Sequence, residues 1–101
     1  MILAGDIGGT KTILALYSQE KSGWVCCKKK VFASAEFNSF EALLDCFLRA
    51  ESNLILRSVC LGVAGPVVKG DCVTTNLPWV LSRDGIANQT GAECVQLLND
   101  L

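Results

Sequence analysis

The alternation of hydrophobic and polar positions divides the first third of the chain into strands. Hydrophobic runs at Ile2–Ile7, Thr12–Ser18 and about Trp24–Ala33 are separated by short turns at Gly8–Lys11 and Gln19–Gly23. Runs of this length, bounded by glycine and polar residues, are typical of strands joined in hairpins. The pattern therefore predicts an antiparallel meander of three strands.

A helix is predicted next, because the hydrophobic residues recur with helical spacing. One face of this helix is expected to hold Phe40, Leu43, Leu44, Phe47 and Leu48. Asn38 and Glu41 have the spacing of a capping box, which predicts that Asn38 is the N-cap. We interpret the hydrophobic stripe as core packing rather than as a cofactor surface.

The second half of the chain is predicted to contain several strands, the turns between them and one short helix. Its predicted elements are a buried strand within Arg57–Ala64, a break at Gly65-Pro66, a hairpin of Val67-Val68 with Cys72-Val73-Thr74, a helix Arg83–Thr90 capped by Ser82, and a strand Glu93–Leu98. Gly85 lies inside the second helix and weakens it.

This order of elements predicts an α/β fold with a mixed five-stranded sheet of order 3-2-1-4-5. The first, fourth and fifth strands of that sheet are expected to be parallel, joined by crossovers. Because the carboxyl ends of parallel strands share one edge, where ligands bind, three features are expected to converge. These are Asp6 with its glycines, Gly65-Pro66, and Asn99-Asp100.

Composition and charge narrow the class of protein. The chain has 101 residues, half of them hydrophobic, and a net charge of −1, which suits one small packed domain. The only positive run, Lys28–Lys30, is interpreted as a solvated strand edge or turn, so nucleic acid is not expected as a partner.

The cysteine and histidine content excludes several kinds of site. The chain has six cysteines without C-x-x-C spacing and no histidine, so we expect free thiols in a reducing cytoplasm, most of them packed as small apolar residues. Zinc sites of the Cys/His type and histidine acid–base chemistry are not expected. The start lacks the features of a signal peptide, and the longest apolar stretch is too short to span a membrane.

The segment Asp6–Thr12 contains the most chemistry of any stretch. It fits neither the Walker spacing nor G-x-G-x-x-G, and it leads into a strand. Its two glycines allow backbone N–H groups to approach an anion, and Asp6 provides a carboxylate that can hold Mg²⁺ directly or through water. The residues alone leave a second interpretation open, an ordinary Gly-Gly hairpin with an incidental aspartate.

Four segments together resemble a known family. AGDIGGTKT at 4–12 resembles the first phosphate motif of the actin-like ATPase superfamily in the form found in bacterial glucokinases and related sugar kinases. LGVAGPV at 61–67 and VTTNLPW at 73–79 resemble the glucokinase segment "GxAGPv…tNlpW". VQLLNDL at 95–101 resembles its "liND" segment. The resemblance covers essentially the whole chain and implies a ribonuclease H-like fold.

The resemblance also implies roles for particular residues. Asp6, Gly8, Gly9 and Thr10 would approach the phosphates of ATP and Mg²⁺, with Lys11 as a further contact. Asn76 would lie near the sugar pocket. Asn99 and Asp100 would bind sugar hydroxyls, with Asp100 as the general base for a hexose, glucose first. From the residues alone, Asn76 also fits a turn-former before Leu77-Pro78, and Asn99-Asp100 also fits an Asx turn at a strand end.

Family members are much longer and have two lobes, so residues 1–101 are expected to be the N-terminal phosphate- and sugar-binding lobe of a larger cytoplasmic kinase. The complete protein is expected to be a homodimer, and the lobe alone to be inactive. Two alternatives are another sugar or pantothenate-type kinase of the superfamily, and a non-catalytic interaction domain on the same fold. A repressor would need a DNA-binding helix-turn-helix before Asp6, for which this sequence has no room.

Overall fold

The computed structural model describes residues 1–51, 54–74 and 77–99. Eight strands, two helices and one 3-10 turn lie within these ranges. In chain order they are β1 (Ile2–Ile7), β2 (Lys11–Glu20), β3 (Gly23–Ala33), a short 3-10 turn (Ser34–Glu36), α1 (Phe40–Leu48), β4 (Ser58–Val63), β5 (Val67–Val68), β6 (Asp71–Val73), β7 (Val80–Ser82), α2 (Arg83–Thr90) and β8 (Cys94–Asn99).

The larger sheet has five strands in the order β3-β2-β1-β4-β8. β3, β2 and β1 are antiparallel neighbours, whereas β1, β4 and β8 run parallel, with Leu3 beside Val59 and Val59 beside Val95. Since β8 is the last strand of this sheet along the chain, the predicted order 3-2-1-4-5 is confirmed.

A second, three-stranded sheet packs beside the first, in the order β5-β6-β7. The predicted hairpin corresponds to β5 and β6, with Val67 opposite Cys72. β7 was not predicted, because Val80–Ser82 is too short to show alternation. It pairs with β6 and leads directly into α2, so it joins the hairpin to the helix.

One face of the five-stranded sheet is buried against the two helices. Every second residue of the central strands points into this core, which also receives the apolar face of α1 and Ile86 of α2. The hydrophobic residues with the lowest exposure are Leu3, Ile7, Leu14, Leu16, Phe40, Leu43, Leu44, Phe47, Val59, Leu61, Val63, Cys72, Trp79, Leu81 and Ile86. Burial of four of the five predicted residues of α1 confirms its core face, while Leu48 is only partly buried.

Each helix is preceded by a serine that acts as its N-cap. The Ser39 hydroxyl accepts a hydrogen bond from the Ala42 amide at 3.2 Å, so the prediction of Asn38 as the N-cap is wrong by one residue. The helix starts at Phe40, which leaves Asn38 exposed and outside it. Ser82 caps α2 as predicted, since its hydroxyl accepts from the Gly85 amide at 3.1 Å.

Lys28 attaches the edge strand β3 to the end of α1. Its ammonium group donates to the Phe47 carbonyl at 2.8 Å, lies 4.7 Å from the centre of the Phe47 ring, and pairs with Glu51 at 3.3 Å. A positive charge near the carboxyl end of a helix is favourable. The lysine run therefore lies on a strand edge, as predicted, but Lys28 also has a packing role.

All six cysteines lie within the described ranges and are free, which confirms the prediction of free thiols. The expectation that most of them pack as apolar residues is wrong, because only Cys72 is buried, while Cys26, Cys27 and Cys94 are exposed. Burial raises the pKa of the Cys72 thiol above its ordinary value.

Candidate functional site

Three strands of the larger sheet end in the same row. Ile7 of β1 pairs with Val63 of β4, and Val63 pairs with Asn99 of β8. The predicted convergence at this edge is confirmed for Asp6 and Asn99, and Gly65-Pro66 begins two residues after the end of β4. Two strand spacings separate β1 from β8, about 10 Å. Asp100 lies outside the described residues, directly after Asn99 in the sequence.

The turn after β1 closes this edge on one side. The Gly8 amide donates to the Lys11 carbonyl at 3.1 Å. A Cβ atom on Gly8 would lie 2.8 Å from that carbonyl oxygen, too close for any other residue without a shift of the backbone. Thr10 and Lys11 are exposed, and Lys11 is already the first residue of β2, although it was predicted within the turn.

Two buried hydroxyl groups lie against this turn. Ser34 and Thr12 are both fully buried, and their side-chain oxygens are 2.8 Å apart. The Ser34 hydroxyl donates to the Gly8 carbonyl at 2.7 Å, and the Ser34 amide donates to the Thr10 carbonyl at 3.0 Å. The first residue of the 3-10 turn thus contacts the Gly8–Lys11 backbone twice.

Asp6 lies at the end of β1, on the face of the sheet opposite the helices. It shares this face with Ala4, because side chains alternate along a strand. A shallow depression of about 230 Å³ follows this face and is lined by Ala4, Gly5, Asp6, Ile13, Ala15, Tyr17 and Lys29. Asn99 follows the alternation of the buried Val95 and Leu97, so it lies at the same edge but on the other face.

The oxygen donors at this edge fit one kind of metal site. Within residues 1–51, 54–74 and 77–99, no three His, Cys, Asp or Glu side chains lie close enough to hold a metal ion together. Mg²⁺ does not need such a cage, since it is usually held by one or two carboxylates, water and substrate phosphates. The exposed Asp6 carboxylate beside the turn matches this requirement.

A second anchored segment runs from Thr74 to Trp79. The Thr74 amide donates to the Trp79 carbonyl at 3.2 Å, and the Thr74 hydroxyl is within hydrogen-bond distance of the Leu77 and Trp79 carbonyls. Asn76, the predicted sugar contact in this segment, lies outside the described residues.

Trp79 holds the end of this segment in the core. Its side chain is 1% exposed, its ring centre is 6.2 Å from that of Phe40, and its indole N–H donates to the Phe37 carbonyl at 3.1 Å. These contacts show that Trp79 is a packing residue and that its ring is not available as a platform for a sugar.

The other depression on the surface lacks the predicted site residues. A depression of about 270 Å³ beside α2 is larger, but none of the predicted site residues lines it, and it lies at the opposite end of β8 from Asn99. Across the described part of the chain, no helix has the length and hydropathy required to cross a membrane.

The sequence interpretation missed Ser34 and did not single out Thr12. Thr12 had a usable signal, since alternation along β2 places it on the same face as the core residues Leu14 and Leu16, where a buried hydroxyl requires a partner. Ser34 had none, because a serine after a strand is typical of an exposed loop. Its importance depends on a contact with Thr12, 22 residues away.

The comparisons with known proteins agree on one family. A family model described as Glucokinase matches residues 3–101. The glucokinase of Nostoc punctiforme is 35% identical over 99% of this chain, and that of Synechocystis is 37% identical over 97%. The chain spans about 30% of the length of either relative.

Solved structures agree with the sequence relatives. The crystal structure of a glucokinase from an Antarctic psychrotroph superimposes with a TM-score of 0.85 at 29% identity, covering 98% of this chain and 32% of that one. A putative sugar kinase from Cytophaga hutchinsonii, at 22% identity, has a TM-score of 0.71 over 99% of this chain and 36% of its own. The latter shows the shared fold alone.

Proposed function

The chain belongs to the glucokinase family, and on that premise we propose that the complete protein transfers the terminal phosphoryl group of ATP to a hexose, with glucose as the first candidate. One observation carries the proposal beyond the family match. The Gly8–Lys11 turn and the Asn99 end of β8 lie at the same sheet edge, about two strand spacings apart. A phosphate donor and a sugar bound at these two points would be close enough to react.

We propose that the turn binds the phosphates of ATP. The Gly9 amide is a suitable donor, because the Gly8 amide already bonds to the Lys11 carbonyl and neither glycine has a side chain that blocks an approaching anion. The exposed Thr10 hydroxyl and Lys11 ammonium add a hydrogen bond and a positive charge. Asp6 would hold Mg²⁺ directly or through water, and the ion, when bound, would neutralise charge on the transferring phosphoryl group.

We propose that the sugar is bound by Asn76, Asn99 and Asp100. Amide and carboxylate groups suit the alternating donors and acceptors of sugar hydroxyls. Asp100 follows in the sequence directly after Asn99, the last residue of β8, whose carboxyl end lies at the edge where ligands bind in parallel sheets. As general base, its carboxylate would accept the proton of the attacking hydroxyl while orienting that oxygen toward the phosphoryl group.

The family and this site also suggest a cellular setting. We propose a cytoplasmic enzyme of sugar metabolism, acting as a homodimer, in which residues 1–101 form the N-terminal phosphate- and sugar-binding lobe. Closure of this lobe against the rest of the protein would exclude water from the transferring group.

The first test is a coupled assay of the complete protein with Mg²⁺, ATP and a panel of hexoses. We expect ADP release that depends on glucose, with weaker activity on other hexoses. ADP release that is independent of every sugar would contradict the proposal.

The second test is the Asp100→Asn variant of the complete protein. Asparagine keeps the shape and much of the sugar contact but cannot accept the proton, so kcat should fall by about 10²- to 10⁴-fold while glucose affinity changes little. Steady-state kinetics with a glucose titration measure both quantities. Asp84→Asn is a matched control, because Asp84 is exposed on α2 and away from this edge. Near wild-type kcat for Asp100→Asn would show that Asp100 is only a turn residue.

The Asp6→Asn variant distinguishes the nucleotide part of the site from the sugar part. It should raise the concentration of Mg²⁺·ATP needed for half-maximal rate and leave glucose binding almost unchanged. If glucose affinity falls while the concentration of Mg²⁺·ATP needed for half-maximal rate is unchanged, Asp6 belongs to the sugar pocket instead.

A further inference from the structure

The hydrogen atoms of the Thr12–Ser34 pair can be assigned from its contacts. The Ser34 hydroxyl has one hydrogen, and its partner at 2.7 Å is the Gly8 carbonyl, which only accepts. That hydrogen is therefore used, so the bond between the two hydroxyls at 2.8 Å must have Thr12 as its donor. A directed chain results, from Thr12 to Ser34 to the Gly8 carbonyl.

The same contacts fix the direction of two peptide groups. All peptide bonds in the described residues are trans, and across a trans peptide the C=O and the following N–H point in opposite directions. Because the Gly8 and Thr10 carbonyls are bonded to Ser34, the amides of Gly9 and Lys11 point away from Ser34. Ser34 thus orients two amide donors of the turn, although its side chain is fully buried beneath it.

We propose that Ser34, supported by Thr12, is a positioning residue for the phosphates of the nucleotide. It acts through the backbone of the Gly8–Lys11 turn and does not touch the ligand. This inference rests on the proposed function of the turn as the ATP phosphate site. A role in stability alone is the competing explanation, since a buried hydroxyl with satisfied bonds also contributes to folding.

The test compares variants of the complete protein that separate these roles. Ser34→Ala removes the donor to Gly8 and should raise the KM for Mg²⁺·ATP about 5- to 100-fold, because a buried acceptor is left unpaired and the turn relaxes. The KM for the sugar should stay within about twofold. Ile86→Val, a buried substitution in α2 away from the turn, is the control for a comparable loss of stability.

A second pair of variants keeps the test valid if Ser34→Ala folds poorly. Thr12→Val preserves shape and removes only the donor to Ser34, so its effect on the KM for Mg²⁺·ATP should be smaller, about 2- to 10-fold. Thr12→Ser retains the hydroxyl and should be close to wild type. If the Thr12–Ser34 pair contributes only to stability, the KM for Mg²⁺·ATP should not differ between Thr12→Val and Thr12→Ser.

Two further readouts do not depend on turnover. Mg²⁺·ADP binding, measured by calorimetry without sugar, should weaken in Ser34→Ala and not in Ile86→Val. Hydrogen–deuterium exchange should accelerate in the peptide containing the Gly8 amide, which bonds to the Lys11 carbonyl in the intact turn.

The outcomes distinguish this inference from the proposed function. If the wild type is active but Ser34→Ala and Thr12→Val have the same nucleotide KM as the Ile86→Val control, the positioning role of Ser34 is overturned. The proposed function is then unaffected. A wild type that binds Mg²⁺·ADP through a Ser34-dependent turn but phosphorylates no hexose overturns the proposed function alone. Absence of nucleotide binding overturns both.

Discussion

The Gly8–Lys11 turn and the Thr74–Trp79 segment are held in the fold by different means. Ser34 holds the turn through two backbone carbonyls, those of Gly8 and Thr10. Trp79 anchors the other segment with one large buried side chain. Both anchors lead to the connection between β3 and α1, because the Trp79 indole donates to the Phe37 carbonyl, three residues after Ser34.

The difference follows from what each segment would present to a ligand. A turn that offers its amides needs each peptide group set in one orientation, which requires bonds to the backbone itself. A segment that offers a side chain, as proposed for Asn76, needs only its two ends held. Substitutions in the turn should therefore affect nucleotide binding more than stability, and loss of Trp79 should do the reverse.

The largest expected effect is on stability, from Trp79→Ala in the complete protein. It removes a fully buried indole and leaves the Phe37 carbonyl without its donor, so the free energy of unfolding should fall by about 3–5 kcal/mol. Chemical denaturation measures it. Trp24→Ala is the matched control, since Trp24 is 54% exposed and should change stability by less than about 0.5 kcal/mol. Equal losses in both variants would contradict the anchoring role of Trp79.

An effect of intermediate size is expected for Gly8→Ala, on nucleotide use. The new Cβ would lie 2.8 Å from the Lys11 carbonyl oxygen, so the turn must open. We expect kcat/KM for Mg²⁺·ATP to fall about 10- to 100-fold, equivalent to about 1.4–2.7 kcal/mol. Gly85→Ala is the control, because a Cβ there makes ordinary contacts with Ser82 and alanine favours the helix. Wild-type nucleotide kinetics in Gly8→Ala would show that the turn does not contact phosphate.

The smallest effect concerns the shared connection between β3 and α1. Ser39→Ala removes the N-cap of α1 and should reduce the free energy of unfolding by about 1 kcal/mol. Asn38→Ala, one residue earlier and exposed, should change it by only a few tenths. Thermal and chemical denaturation of the two variants side by side provide the measurement. A larger loss in Asn38→Ala would restore Asn38 as the cap.

Most of the fold followed from local patterns in the sequence. The strands of the larger sheet, their order and the buried face of α1 were predictable because hydrophobic periodicity reports which face of an element is buried. The convergence at the sheet edge followed in turn from the parallel direction of β1, β4 and β8, because the carboxyl ends of parallel strands share one edge. The family resemblance was confirmed by relatives whose similarity extends over almost the whole chain.

Tertiary structure alone decided how that edge is supported. Nothing near Ser34 in the sequence indicates burial, and its contacts arise from packing against Thr12 of β2 and Gly8 of the turn. Trp79 reaches Phe37 across 42 residues, a separation at which local pattern carries no information about partners. The sequence by itself determined which elements form and which edge bears the candidate chemistry, because periodicity and motifs are local. Only the folded chain decided which buried polar groups hold that edge in place, because a hydrogen-bond partner is chosen by position in space.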